Sequence, residues 1–216
     1  MLTAILFVLK TGIGWKDLPT EAFGVSYKTC TRRIADWTGI GLWQRMHELF
    51  LAKLRSADQL DWLAGANWMT SGTPPASVSK HCLLTDAGGV PLVIQLAPAN
   101  QHDVKELLPL VVEIPAVAGK PGRPKQKPDS LLADKAFDCE ALRQLLRWLG
   151  IEPHLPYRGD DEHGLGVLRW FVERTLSWLH QFRRLRIRWD RCPVVHQAFL
   201  SLAAAVICFR IWKWES

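Results

Sequence analysis

The chain has 216 residues, 48% hydrophobic and 22% charged, with 11 Trp, 8 Phe and a formal charge of +6 from 27 Lys+Arg against 21 Asp+Glu. A disordered polymer is excluded, because such a chain has no core in which to hide its aromatics, and the length suits one sizeable core, or one core with a small helical appendage. The longest apolar runs, residues 2–9 and 198–209, are shorter than a bilayer-spanning helix, and Cys30, Cys82, Cys139, Cys192 and Cys208 form no C-x-x-C pair, so neither a membrane span, a secretory leader, a disulfide framework nor a zinc ribbon is expected.

In chain order, the first 60 or so residues read as three or four short helices. Leu2, Ile5, Leu6 and Leu9 share a face, and residues 32–54 carry a second helical pattern broken at Thr38-Gly-Ile-Gly41. This leader, residues 1–58, suits a small helix-turn-helix-like unit, with Lys28, Arg32 and Arg33 as its basic cluster; a plain helical subdomain is the alternative. Periodicity fails over residues 67–80, where Ser, Thr, Gly and Pro crowd together, and a loop or damaged element is expected there. Residues 81–86 and 90–96 flank Ala87-Gly88-Gly89 in the pattern of a β-hairpin, and a helix fits residues 103–112.

Residues 119–128, GKPGRPKQKP, hold Lys120, Arg123, Lys125 and Lys127 with no acid and read as an exposed flexible loop. A short strand at 130–133 ends in Asp134, a helix is expected over 138–149 and another strand over 151–155. Two helices, 165–187 and 194–212, close the chain.

Asp134 ends a buried strand, where α/β sheets present functional groups, although an Asp in that place also caps helices. On the helix at 165–187, Leu168, Phe171, Val172, Thr175, Leu179 and Phe182 form the core stripe. Arg169, Glu173, His180 and Arg184 run along a neighbouring stripe, so a carboxylate flanked by cations lies at the edge of the buried side. An ordinary i,i+4 ion pair between Arg169 and Glu173 would explain part of this, at about 0.2–0.5 kcal/mol. Arg183, Arg184, Arg186, Arg188 and Arg191 lie within nine residues and, unless they are merely solvated, need phosphates or carboxylates facing them. With the loop at 120–127 they point to a polyanion as partner.

Several segments in order carry a resemblance. Residues 169–191, RWFVERTLSWLHQFRRLRIRWDR, continuing to HQAFLSL at 196–202, resemble the acid-bearing C-terminal helix of bacterial insertion-sequence transposases of the DDE four/five superfamily. SKHCLLTD at 79–86, PANQHD at 98–103 and LADKAFD at 132–138 resemble the same group, and LKTGIGWKDLP at 9–19 resembles its leader domain.

The resemblance implies an α/β fold over residues 59–216, a ribonuclease-H-like mixed sheet flanked by helices, with the N-terminal helical subdomain before it. It implies three acids that bind Mg²⁺ or Mn²⁺, two ions about 3.5–4 Å apart, for in-line displacement at phosphorus. Asp134 matches the second acid, Glu173 the third, and Arg169 the arginine of the acid helix. Arg169, Arg174, His180, Arg183, Arg184, Arg186 and Arg188 would contact DNA together with Lys120, Arg123, Lys125 and Lys127. The family's tyrosine and lysine stand here as Gly166 and His180. The first acid has no match, since no acid lies between Asp61 and Asp86, and the first strand is expected to be degraded or missing near 63–78 through an internal deletion. The expected function is cutting and strand transfer of insertion-sequence DNA, impaired by that loss; the alternative is an inactive DNA-binding or oligomerising remnant. Double-stranded DNA bearing terminal repeats, a second copy of the chain, and a cytoplasmic, nucleoid-associated setting are the implied surroundings.

Overall fold

The computed structural model describes residues 1–71, 79–98, 100, 103–157, 165–186, 190 and 192–214. Helix α1 (Leu2–Thr11) buries Ala4, Ile5, Val8 and Leu9, the i,i+3/i+4 stripe of an amphipathic helix. Gly12 ends it at φ 72°, its amide donating to Val8 O, and a Cβ there would come within 2.9 Å of Arg183 Cβ, so both backbone and space require glycine. After the single turn α2 (Thr20–Phe23), Ser26 caps α3 (Tyr27–Gly39) by accepting from the Thr29 amide at 3.2 Å. Gly41, at φ 67°, then starts α4 (Leu42–Ser56). Trp43 is fully buried, donates to Thr38 Oγ1 at 2.9 Å, and meets Trp37 edge-on at 5.6 Å, which ties α3 to α4 through one apolar ring with its polar atom satisfied.

The sheet contains β1 (Leu63–Ser71), β2 (Ser79–Thr85), β3 (Pro91–Pro98), β4 (Ser130–Leu132) and β5 (Glu152–His154) in the order β3-β2-β1-β4-β5. Strands β1, β2 and β3 are antiparallel neighbours, whereas β4 runs parallel to β1 and β5 parallel to β4. Between these strands lie α5 (Asp103–Val112) and α6 (Glu140–Trp148), and α7 (Leu165–His180), α8 (Arg183–Arg186) and α9 (Pro193–Trp214) follow them. An antiparallel meander joined to parallel strands by helical crossovers is the ribonuclease-H-like arrangement that the resemblance implied.

Three expectations are corrected. The segment expected to be degraded or missing contains β1, which pairs with β2 from Gly65 to Ser71 and with β4 from Leu63 to Gly65. Ladders on both sides override the weak strand propensity of its Gly, Asn and Ser; residues 72–78 lie outside the described residues. The helix expected over 165–187 breaks after His180, where the Gln181 and Phe182 amides donate to Trp178 O and Leu179 O, a tighter i→i−3 turn that starts α8 in a new direction. The basic loop is not a free tether: Val117 and Lys125 form a bridge, Lys120 pairs with Asp58, and Lys125 pairs with Asp129 at 2.6 Å.

Two apolar clusters flank the sheet. One joins α1, α3, α8 and α9 to Leu83, Ile94 and Leu132; the other packs α5 and α6 with Ala64, Leu84, Leu92 and Leu131. Helix α9 is long and apolar enough to cross a membrane by composition alone, but 61% of that stretch is buried inside the fold, with Phe199 fully buried and stacked on Trp15 at 5.9 Å. Gln197 on α9 also covers the sheet edge. Its Oε1 accepts from Leu96 N at 2.8 Å and its Nε2 donates to Ile94 O at 3.0 Å, satisfying groups that edge strand β3 would otherwise expose.

Candidate functional site

Asp134 follows β4 directly and caps the 3-10 turn Lys135–Phe137, its Oδ1 accepting from the Lys135 amide at 2.6 Å. Its side chain is exposed beyond the carboxyl end of β4, so the capping role is realised while the carboxylate keeps contact with solvent. Asp138, four residues on, is engaged elsewhere. It holds Arg143 at 2.7 Å, and that buried guanidinium also donates to Leu155 O at 3.1 Å and lies 3.8 Å from the centre of the Tyr157 ring.

Glu173 is exposed on α7. The next two residues fasten the helix to the β2–β3 turn: the Arg174 guanidinium donates to Gly88 O and Thr175 Oγ1 donates to Gly89 O at 2.6 Å. Because Gly65 pairs with both Thr85 and Leu132, that turn lies beyond the amino ends of β1 and β4, whereas Asp134 lies beyond the carboxyl end of β4. Asp134 thus follows the carboxyl end of β4, and Glu173 directly precedes the two α7 residues that grip the β2–β3 turn. Among the described residues no group of three or more His, Cys, Asp or Glu could hold a metal ion.

The expected DNA-contacting residues divide into three groups. Arg183 and Arg186 are exposed on α8, His180 is exposed at the end of α7, and Arg123 is exposed in the basic loop. Arg184 is a correction: it is 4% exposed, bonds Asp190 through two nitrogens at 3.0 and 2.7 Å, and donates to Ile13 O at 2.9 Å. The break after His180 turns it inward, where it locks α8 to the segment after α1. Arg174, Lys120, Lys125 and Lys127 are also engaged within the protein, with Gly88 O, Asp58, Asp129 and Leu149 O respectively. The side chain of Arg169, and Arg188 altogether, lie outside the described residues.

Among the described residues the acid most altered by its surroundings is Asp86, at the end of the first hairpin run and not among the candidate site residues. It is 0% exposed, its Oδ1 accepts from Val90 N at 2.6 Å and its Oδ2 accepts from Asp61 N at 3.1 Å. Burial pushes its carboxyl up to about 7 against the opposing pull of those amide donors. The available signal was its place, an acid directly before Ala-Gly-Gly between two apolar runs, where an Asp side chain closes a turn through backbone amides. His47 is its counterpart on α4: it is 7% exposed, its ring Nε2 lies 2.7 Å from Pro91 O, and burial lowers its pKa to about 4.

The mixed sheet, its helical flanks and the motif order define a transposase catalytic fold of the ribonuclease-H type. The family model "Transposase DDE domain" matches residues 72–208, and "Putative transposase of IS4/5 family" matches residues 1–47. The chain belongs to the DDE transposase family. It is 48% identical over 132 residues to "Putative transposase for insertion sequence element IS402" of Burkholderia cepacia, covering 61% of this chain and 63% of that protein. It is 58% identical over 65 residues to "Insertion element IS402 uncharacterized 16.2 kDa protein" of the same organism, covering 30% of this chain and 44% of that one. The chain thus spans less than two thirds of the length of either relative. Among solved structures it aligns with the catalytic domain of Mos1 mariner transposase at 16% identity, covering 79% of this chain and 88% of that one at a TM-score of 0.32; no argument rests on so distant a likeness.

Proposed function

We propose that this is an insertion-sequence transposase chain that keeps its DNA-binding surface while DNA cutting and strand transfer are impaired. The carrying observation is that two acids stand where the family's chemistry needs three, the exposed Asp134 after β4 and the exposed Glu173 on α7. The absence of any acid between Asp61 and Asp86 supports the same reading. Mg²⁺ or Mn²⁺ supplies electrophilic assistance at phosphorus in this chemistry, and Asp134 and Glu173 are the residues proposed to hold it.

DNA contact is assigned to the exposed cations, Arg183 and Arg186 with His180 and Arg123, with the leader at 1–58 as a helix-turn-helix-like accessory and the unit at 59–216 as the catalytic-fold domain. Double-stranded element ends are the proposed partner, bound by more than one copy of the chain in the nucleoid. Purified protein, Mn²⁺ and duplexes carrying the element's ends test this. Binding that weakens steeply with salt and yields little or no cleavage is expected; efficient cleavage abolished by Asp134→Asn would overturn the impairment. A second reading, an inactive remnant that acts only by occupying ends or mixing with intact subunits, is favoured by the absence of a metal-holding group among the described residues. Binding indifferent to substitution of both Asp134 and Glu173 would support it.

A further inference from the structure

On α7, Trp170, Arg174 and Trp178 stand four residues apart on one stripe. The Arg174 guanidinium lies 4.3 Å from the centre of Trp170 and 4.9 Å from that of Trp178, and its bond to Gly88 O fixes it between them. Trp170 remains 48% exposed. A row of indole and guanidinium planes held this way has already lost the freedom that a loose side chain would lose on binding. It also offers the surface on which unpaired bases stack, since aromatic rings and arginine planes serve equally.

Beside this row, between α7, α9 and the β2–β3 turn, is a cavity of about 310 Å³. Arg174 and Trp178 form one wall, Ile207 and Ile211 supply apolar surface, and Gln181 and Arg210 add an amide and a second cation. No carboxylate lines it. Arg210 lies over the Phe182 ring, 5.6 Å from its centre, and among the described residues no carboxylate pairs with it. The volume lies at the small end of ligand pockets, about 300–1,000 Å³, room for one nucleotide and too little for a length of strand. Two guanidinium groups without an opposing acid favour phosphate, and a planar wall with apolar surface favours a base.

We propose that this cavity binds a single deoxynucleotide, its base against the Arg174–Trp178 wall and its phosphate on Arg210. The same chemistry is offered by an unpaired nucleotide at a DNA end and by a free nucleotide. The DNA-end assignment rests on the transposase reading above.

The test titrates the full chain with dAMP, with inorganic phosphate, with a blunt duplex, and with the same duplex carrying one unpaired 2-aminopurine at its end. Expected results are saturable quenching of tryptophan fluorescence by dAMP but not by phosphate, quenching of 2-aminopurine emission on stacking, and about 10-fold tighter binding of the frayed duplex than of the blunt one. Arg210→Gln should lower dAMP affinity about 10-fold, with partial recovery in Arg210→Lys. Trp178 packs partly into the core, so Trp178→Leu could lose its fold, and the rim residue Arg210 keeps the proposal testable. Equal binding of dAMP and phosphate, or Arg210→Gln without effect, overturns it. If duplexes bind with no preference for the unpaired end and dAMP does not bind, the pocket fails while the DNA-binding reading stands. If dAMP binds and no duplex does, the pocket stands as a free-nucleotide site and that reading fails.

Discussion

The two ends of the sheet treat an aspartate in opposite ways. At the β2–β3 turn, Asp86 is shut away from water and holds two backbone amides; after β4, Asp134 is exposed and holds the amide of its own neighbour. The same contrast recurs on α8, where Arg184 is buried against Asp190 while Arg183 and Arg186 face outward. Residue type alone therefore did not separate scaffold from surface. What separates them is burial: Asp86 and Arg184 are closed off from water, whereas Asp134, Arg183 and Arg186 are exposed.

Arg184→Ala should break this contrast hardest. It leaves Asp190, whose side chain is 9% exposed, without its bidentate partner and frees Ile13 O. A loss of about 3–5 kcal/mol is expected from stranding a buried charge, read by urea denaturation, against about 0.5 kcal/mol or less for Arg183→Ala. Equal effects would show that the α8 cations are energetically alike and that the inward turn is unimportant.

The next effect is a pH dependence set by Asp86. Its folded pKa, about 7, lies above the ordinary carboxylate value of 3.8. The folded state therefore binds more protons between those values, and the stability that Asp86 contributes, complete below about pH 4, is lost as pH rises to about 7. The span is on the order of 4 kcal/mol. Asp86→Asn removes this falling arm, and denaturation midpoints that keep it would show that another group is responsible.

His47 contributes a smaller arm of opposite sign. Its folded pKa of about 4 lies below the ordinary imidazole value of 6.5, so its stabilisation is present above pH 6.5 and is lost as pH falls toward 4, a span of about 3 kcal/mol. Between pH 4 and 6.5 the two arms oppose each other, and the intact chain should be nearly flat there. Asp86→Asn should expose a rise with pH, and His47→Gln, which keeps a donor for Pro91 O, should expose a fall. A single variant that leaves the midregion flat would show that one of the two is not titrating as assigned.

Much of the fold was legible because local pattern and final structure agree. The apolar stripe of α1, the Gly break between α3 and α4, the hairpin around Ala87-Gly88-Gly89 and the limits of α5 all follow from periodicity and turn chemistry. β1 was not legible, since its Gly, Ala, Asn and Ser carry little strand preference and its existence depends on β2 and β4 pairing with it. The break after His180 was hidden because Leu179, Phe182 and Leu185 continue an apolar run straight through it. Of the candidate site, Asp134 was found at a strand end as expected. The distance-spanning facts were invisible to spacing: Arg184 meets Ile13 171 positions away, and Lys120 meets Asp58 62 positions away.

The smallest predicted effect is also the most discriminating for the chemistry. Asp134→Asn keeps an oxygen that can accept from Lys135 N, so folding stability without added metal should change by no more than about 0.5 kcal/mol. If Asp134 instead stood close to other carboxylates, as in an assembled metal site emptied of its ion, their mutual repulsion would destabilise the chain. Neutralising one of them would then stabilise it by more than about 1 kcal/mol, an effect that would shrink on adding Mn²⁺. A near-zero change with no dependence on Mn²⁺ matches an Asp134 that does not stand among other carboxylates. A metal-sensitive gain would instead mean that Asp134 stands with other carboxylates, Glu173 the proposed one, in a single metal-holding site.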